Sequence, residues 1–404
     1  MKSGIQGKSK NLSPIYIWLF WQVVYMGLAI LYSFFFPSAA LEKQIPIWPP
    51  AQNFGLWLNR IFLSPFLRWD AVWYVQILTK GYIAGDGSTA FHPLYVLLGK
   101  PLYLLGINPE LSLLIVSSLA CLGLFLVFYK LASLDLQPEK SWTAVLLLSV
   151  FPTAFIIFAP YTESLFLFLV ASALYFLRKR NWLLASLATF LAGLTRQQGV
   201  FLVFPMLWYI WEDSGKSLTG LTKIWRGWLA TLSAPLGLIV WAIYRIGFLH
   251  EGTLDTKDWQ GFIYSALISP SAKKTIPDQV VLWPWTAFID SVNNAFRLMQ
   301  AQGLINIFIG LVFVILFVLA WKYLSAADRF YCTAIMLISF SMSTGSFDTY
   351  IYLSLPRHLL EALPVFIGLS LALKKPWQRI LVIGLQIPLQ VFMLYLYVIH
   401  AWIP

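Results

Sequence analysis

Charge is what this sequence has least of. Only 11% of its 404 residues are Asp, Glu, Lys or Arg, against about 25% in soluble globular chains. That excludes an ordinary water-soluble domain. Acids are the scarcer sign, 17 against 28 Lys and Arg. In a membrane chain this excess reports topology, because Lys and Arg collect in cytoplasmic loops. The net charge of +11 therefore points to no nucleic-acid partner. Cysteine is nearly absent: Cys121 and Cys332 each lie inside an apolar run and read as small core residues, not a disulfide or metal pair. His92 and His358 stand apart from other metal-type ligands, so a zinc site is not expected. There is no Gly-rich phosphate loop of the nucleotide-binding types. No internal repeat of fixed period is visible, which weighs against a repeat-built transporter.

What remains is hydrocarbon-compatible. Hydrophobic residues make up 59% of the chain, with 19 Trp and 19 Tyr suited to membrane interfaces. The run 14–36 follows Lys2, Lys8 and Lys10. It is longer than a signal-peptide core and reads as a first transmembrane helix with its N-terminus in the cytoplasm. A polar, Pro-rich outer loop follows over 37–109. Its part 57–79 keeps helical periodicity and reads as surface helices. Within it Asp70 is placed as the cap of a short helix over 71–80, ended by Gly81. The stretch 91–106 is apolar but short and interrupted by Pro93, Lys100 and Pro101. Taking it as a surface or re-entrant piece leaves Arg178-Lys179-Arg180 inside, as the positive-inside rule prefers.

Spans then fall at 110–132, 141–159, 162–177, 182–195, 198–211, 228–248, 303–323, 329–345, 357–373 and 380–402. The expectation is a single all-α polytopic membrane domain of about eleven transmembrane helices. It comprises the first span 14–36, the outer loop 37–109, central helices 110–248, a second outer loop 249–302 and C-terminal helices 303–404. Arg178-Lys179-Arg180 and Lys374-Lys375 serve as topology signals.

This topology gathers ionisable groups at the outer face. They are Arg68, Asp70 and His92 from the first loop, Glu163 at a helix start after Tyr161, Arg196 with Gln197 at a turn, and Arg357, His358 and Glu361 at the start of another span. Such groups at membrane depth face a cavity or a partner. Each has a plainer explanation. Asp70 alone suits a helix cap, Glu163 a first-turn carboxylate favoured by the dipole, the arginines snorkelling, and the histidines structural hydrogen bonds. Together they suit a phosphate, which guanidinium groups grip bidentately, beside a carboxylate able to act as a general base. A phosphate carried by a membrane lipid fits this location better than a soluble nucleotide.

Several blocks resemble the mannosyltransferases related to the second GPI-anchor mannosyltransferase. These are Arg68-Trp69-Asp70, Tyr74, Gly81-Tyr82 and Ala90-Phe91-His92-Pro93-Leu94-Tyr95, then Phe158-Ala159-Pro160-Tyr161-Thr162-Glu163-Ser164, Ala192-Gly193-Leu194-Thr195-Arg196-Gln197-Gln198-Gly199, and Pro356-Arg357-His358-Leu359-Leu360. They keep their order over roughly residues 60–370. The sequence departs from that family at His92, at Gln197-Gln198 and at His358. The resemblance implies a GT-C membrane glycosyltransferase fold and an inverting transfer of a hexose, usually mannose, from a polyprenyl phosphate to a lipid-linked or glycan acceptor. It places catalysis at Asp70 on the extracytoplasmic side, in the plasma membrane if the source is prokaryotic. On that footing Arg196 and Arg357 bind the donor phosphate, while Arg68, Trp69, Tyr74, His92, Tyr161, Glu163, Gln197 and His358 line the substrate site. No cofactor is called for, although Asp70, Asp86 and Glu163 leave room for a divalent metal. The rival class is a transporter or flippase of a lipid-linked sugar. The expected partners are the polyprenyl-phosphate sugar donor, a glycan or glycolipid acceptor and membrane lipid.

Overall fold

A computed structural model describes residues 13–35, 62–250, 278–345, 351–399 and 401–402. The expected loop residues 37–61 and, within 249–302, residues 251–277 lie outside the described residues.

The described chain is almost entirely helical. Its α-helices are α1 Pro14–Phe35, α2 Asp70–Lys80, α3 Leu94–Leu104, α4 Pro109–Ala132, α5 Pro138–Ser149, α6 Glu163–Arg178, α7 Trp182–Gly193, α8 Val203–Asp213, α9 Leu218–Leu221, α10 Trp225–Thr231, α11 Ser233–Gly247, α12 Pro284–Arg297, α13 Ala301–Trp321, α14 Ala326–Ser341, α15 Leu355–Leu359, α16 Pro364–Ala372 and α17 Pro376–Val398. Short 3-10 turns stand at Ser64–Phe66, Ser88–Ala90, Ala154–Phe158 and Gln197–Leu202. Two short strands, β1 Asp278–Val281 and β2 Met342–Gly345, pair antiparallel with Asp278 opposite Gly345 and Val281 opposite Met342.

Local sequence explains many helix starts. Proline stands in the first turn of α4, α5, α12, α15, α16 and α17, where its missing N–H costs nothing. Asn108 and Asn181 accept from Leu111 N and Leu184 N to cap α4 and α7, and Ser325 accepts from Asp328 N to cap α14.

Five stretches are long and apolar enough to cross a membrane: Pro14–Tyr32, Pro109–Ala132, Trp225–Gly247, Ala301–Trp321 and Pro376–Val398. They carry exposed Val23, Leu119, Ile243, Ile315 and Ile380 on their outer sides. Apolar surface of this extent requires a hydrocarbon surrounding, and the chain is an all-α membrane protein. Helix α3 has 11 residues, about 16 Å of rise. That is roughly half a hydrocarbon core, so it is too short to span.

The core runs from α4 through α6 and α7 to α11 on one side, and from α5 through α16 to α13 on the other. Cys121 and Cys332 are both buried and unpaired with each other, as small core residues.

Three apolar runs that read as continuous spans are interrupted. The run 141–159 stops helically at Ser149 and resumes as the 3-10 turn at Ala154. The run 198–211 begins as a 3-10 turn, and 357–373 divides into α15 and α16. Irregular backbone at membrane depth is tolerated only where protein buries it, and residues 150–167 are all buried. The freed carbonyls are satisfied by side chains. Gln390 Nε2, wholly buried on α17, donates to Ser149 O at 2.9 Å and Phe151 O at 2.8 Å. Tyr25 OH adds a bond to Ser149 O. Across the second break, Thr153 Oγ1 donates to Pro356 O, and Asn306 Nδ2 donates to Tyr352 O and Leu353 O. These anchors fix where Arg357 begins.

Candidate active site

The helix breaks and helix starts converge on one group of ionisable side chains. Asp70 opens α2 and Glu163 opens α6. Arg196 sits in the turn after α7, Arg357 and His358 lie on α15, and Glu361 follows in the break before α16. They form a continuous chain of ion pairs. Arg357 NH1 lies 2.7 Å from Asp70 Oδ2, and Arg357 Nε meets Glu163 Oε1. The same Glu163 oxygen receives Arg196 NH1. Arg196 Nε lies 3.2 Å from Glu361 Oε1, and Arg196 NH2 lies 3.2 Å from His358 Nδ1. His358 Nδ1 is 3.4 Å from Glu361 Oε1. The second oxygens of Glu163 and Glu361 are buried and have no hydrogen-bond partner among the described residues. The arginines, Glu163 and Glu361 are buried; the Asp70 side chain is 25% exposed.

Asp70 does not cap its helix. It is the first helical residue, and the cap position falls to Trp69, whose side chain makes no capping hydrogen bond. A carboxylate in the first turn still gains from the helix dipole, but its oxygen is turned to Arg357. Trp69 holds φ at +49°, a left-handed conformation that costs a bulky residue on the order of 1–3 kcal/mol and is held by its surroundings. Those surroundings are visible. Tyr161 OH donates to Arg68 O at 2.8 Å, Tyr397 OH to Phe66 O at 2.9 Å, and Arg68 Nε to Val398 O at 3.0 Å.

These bonds involve several of the expected site residues. Arg68, Tyr74, Tyr161 and Glu163 are all buried. The first three are tied to protein groups, with Tyr74 OH reaching Thr162 Oγ1 at 3.3 Å. His92 Nδ1 is 2.8 Å from Gly193 O. Burial pushes its imidazole down to about 4, against the Gly193 bond, which pulls it up. Gln197 is partly buried beside Met342. Gln76 Nε2 and Ser88 N donate to the two oxygens of Asp86. Among the described residues no group of three or more His, Cys, Asp or Glu is arranged to hold a metal.

Two members were not singled out as site residues by sequence. Thr162 Oγ1 accepts from Arg196 NH1 at 3.2 Å and from Tyr74. Glu361 is the second carboxylate on Arg196. Its signal was its place four residues after Arg357, which puts both on one helical face.

The turn carrying Arg196 is built by glycines. Helix α7 ends at Gly193, and Gly199 folds back against it so closely that a Cβ on Gly199 would lie 2.5 Å from Gly193 N and 2.6 Å from Ala192 C. Gly237 on α11 approaches Gly193 from the other side, its notional Cβ 2.9 Å from Gly193 Cα. Only hydrogen fits at these crossings.

The opposite end of α6 is about 22 Å away. There Arg178 pairs with Asp135 and Asp328, and Arg180 pairs with Glu212 and with Asp213 at 3.0 Å. Arg178 and Arg180 are therefore joints between loops and helices as well as charges of one sign.

No family model matches the chain. Over 235 residues, 55% of its length, it is 34% identical to GPI alpha-1,6-mannosyltransferase 2 of Rattus norvegicus. The chain is similar to a mannosyltransferase. The match spans 45% of that rat protein, so the chain covers less than half of its relative's length. The similarity supports a relationship to mannosyltransferases, and with the apolar helices it supports a membrane location.

Proposed function

We propose that this chain is a membrane glycosyltransferase that moves a hexose, in the first instance mannose, from a polyprenyl phosphate to a glycan or glycolipid hydroxyl. The single observation that carries the reading is the Asp70–Arg357 pair. It sets a partly exposed carboxylate 2.7 Å from a guanidinium that a second buried carboxylate orients. A base and an anion-binding group are thus side by side.

Asp70 takes the proton of the acceptor hydroxyl while that oxygen attacks the anomeric carbon. The bond from that carbon to the phosphate oxygen breaks, and its electron pair leaves with the polyprenyl phosphate. Attack opposite the departing phosphate inverts the centre. Arg357 meets the charge that develops on the leaving oxygen. Every nitrogen of Arg196 already faces a protein partner, so Arg196 orients Glu163 and thereby Arg357, instead of sharing the phosphate. Trp69 and His358, the chain neighbours of Asp70 and Arg357, contribute to the substrate site in this proposal, and the donor arrives laterally from the membrane on the extracytoplasmic side. The GT-C architecture and a total near eleven spans belong to this proposal.

The interrupted apolar runs favour one second reading, a flippase of a lipid-linked sugar, since broken helices build substrate sites in transporters. One experiment separates the two. Purified protein in sealed vesicles is given radiolabelled polyprenyl-phosphate mannose and candidate acceptors. Label on the acceptor means transfer; label that only changes leaflet means transport. Removing a general base costs roughly 10²–10⁴-fold in rate. Asp70→Asn is expected to lose turnover by that factor, and wild-type turnover in that variant would refute the assignment.

A further inference from the structure

We infer that Asp70 and the donor phosphate compete for one guanidinium, so that the base is freed only once the donor is seated. The inference rests on the assignment of Asp70 and Arg357 given above. Arg357 is held from two directions, NH1 by Asp70 and Nε by Glu163. The two contacts are unequal. Glu163 is enclosed and braced by Arg196, which is itself fixed by Glu361 and His358. Asp70 stands at the open side, 25% exposed against 1% for Glu163. The Glu163 contact is the pivot and the Asp70 contact is the one that can be exchanged. Glu163 Oε2, buried without a hydrogen-bond partner among the described residues, offers a second acceptor as the guanidinium turns.

A phosphate arriving from the open side reaches the N–H that Asp70 occupies. Two anions at one donor in a weakly polar site repel strongly, so Asp70 gives up NH1 and its Oδ2 becomes able to accept the hydroxyl proton. Binding then runs in order, donor before acceptor. An acceptor or water that enters an unloaded enzyme finds the carboxylate engaged.

The test is the affinity of the full-length protein in nanodiscs for farnesyl phosphate. If the carboxylate competes, Asp70→Asn binds this phosphate tighter than wild type, on the order of fivefold to tenfold. Asp70→Ser, a second variant should the amide disturb folding, moves the same way. The gain disappears when Arg357→Ala is added to either. Inorganic phosphate shows a gain in the same direction at weaker absolute affinity, which assigns the contest to the headgroup; a gain confined to farnesyl phosphate also supports it, with the lipid chain needed for seating. Farnesol, with no phosphate, shows no change. Unchanged or weaker farnesyl phosphate binding in both Asp70 variants overturns the inference, as does an equal gain for farnesol. Failure here is separable from failure of the proposed function, which is judged by turnover: variants that lose turnover without gaining affinity sink the competition and leave the base in place.

Discussion

Gly199→Ala tests the architecture of the arginine turn. The added Cβ would sit 2.5 Å from Gly193 N, 2.6 Å from Ala192 C and 2.8 Å from Gly193 Cα. Ordinary contact begins near 3.4 Å, so the overlap is about 0.9 Å. All three obstacles are backbone atoms in the last turn of α7, and none can rotate aside. That turn is also pinned, with Leu94 N on Leu194 O at 3.0 Å, Arg196 N on Ala192 O at 2.9 Å and Gly199 N on Arg196 O at 3.1 Å. Overpacking of this kind costs about 1–3 kcal/mol, and the strain should reach the upper part of that range. Relief requires moving the 196–199 turn outward by close to 1 Å, and a shift of that size in a positioned group can cost roughly 10²-fold in rate. The assay is paired: thermal midpoint and donor-dependent turnover of purified Gly199→Ala, beside Gly384→Ala on α17, whose Cβ meets nothing within 4 Å. The control should match or exceed wild-type stability, because alanine is the better helix former. If Gly199→Ala behaves like Gly384→Ala in both measurements, the close-packed turn is not what holds Arg196.

Other substitutions probe separate joints. Glu163→Ala leaves two buried guanidinium groups without their shared carboxylate and should cost about 3–5 kcal/mol; Glu163→Gln keeps an acceptor and should cost less, an order read directly from chemical or thermal unfolding. Gln390→Leu removes one of two donors from Ser149 O, which keeps Tyr25 OH, and one of two from Phe151 O, which keeps Ala154 N; at about 0.5–1.5 kcal/mol per hydrogen bond it should lower the thermal midpoint while sparing donor affinity. For His92 the sign follows from its depressed value: between 6.5 and about 4 the unfolded chain binds the extra proton, so stability falls as pH drops through that window. Wild type should therefore lose more of its thermal midpoint than His92→Gln between pH 7.5 and 5.

What the sequence revealed of this site followed from one rule. Asp70, Glu163, Arg196 and Arg357 were conspicuous because a charge among apolar residues needs a partner or a cavity. The structure joins those four residues in one chain of ion pairs. Which charge meets which was not legible, since the partners lie up to 287 residues apart, at Asp70 and Arg357. Local rules even pointed elsewhere: a capping preference assigned Asp70 to its own helix, and the long-range pairing prevailed. Hydropathy likewise merged 141–159 into one span, because Phe151, Ala154 and Ile157 are as apolar as any helix residue. The legible clues to the break were Pro152 and an amide, Gln390, deep in an apolar helix.

The burial of Arg68 and Tyr161 has the same origin. Both stand in the motifs expected to line the substrate site. Here the adjacent Trp69 takes a positive φ, and that conformation survives only if the chain on its near side is held. Tyr397, Tyr161 and Arg68 supply that restraint through backbone bonds at Phe66, Arg68 and Val398. Their polar groups are consumed in aiming the start of α2. Aromatic hydroxyls and a guanidinium are costly to bury in a membrane protein unless satisfied, and here they are satisfied by backbone carbonyls. The Arg68-Trp69-Asp70 sequence therefore divides its labour, one side chain anchoring, one turning and one left partly open beside Arg357.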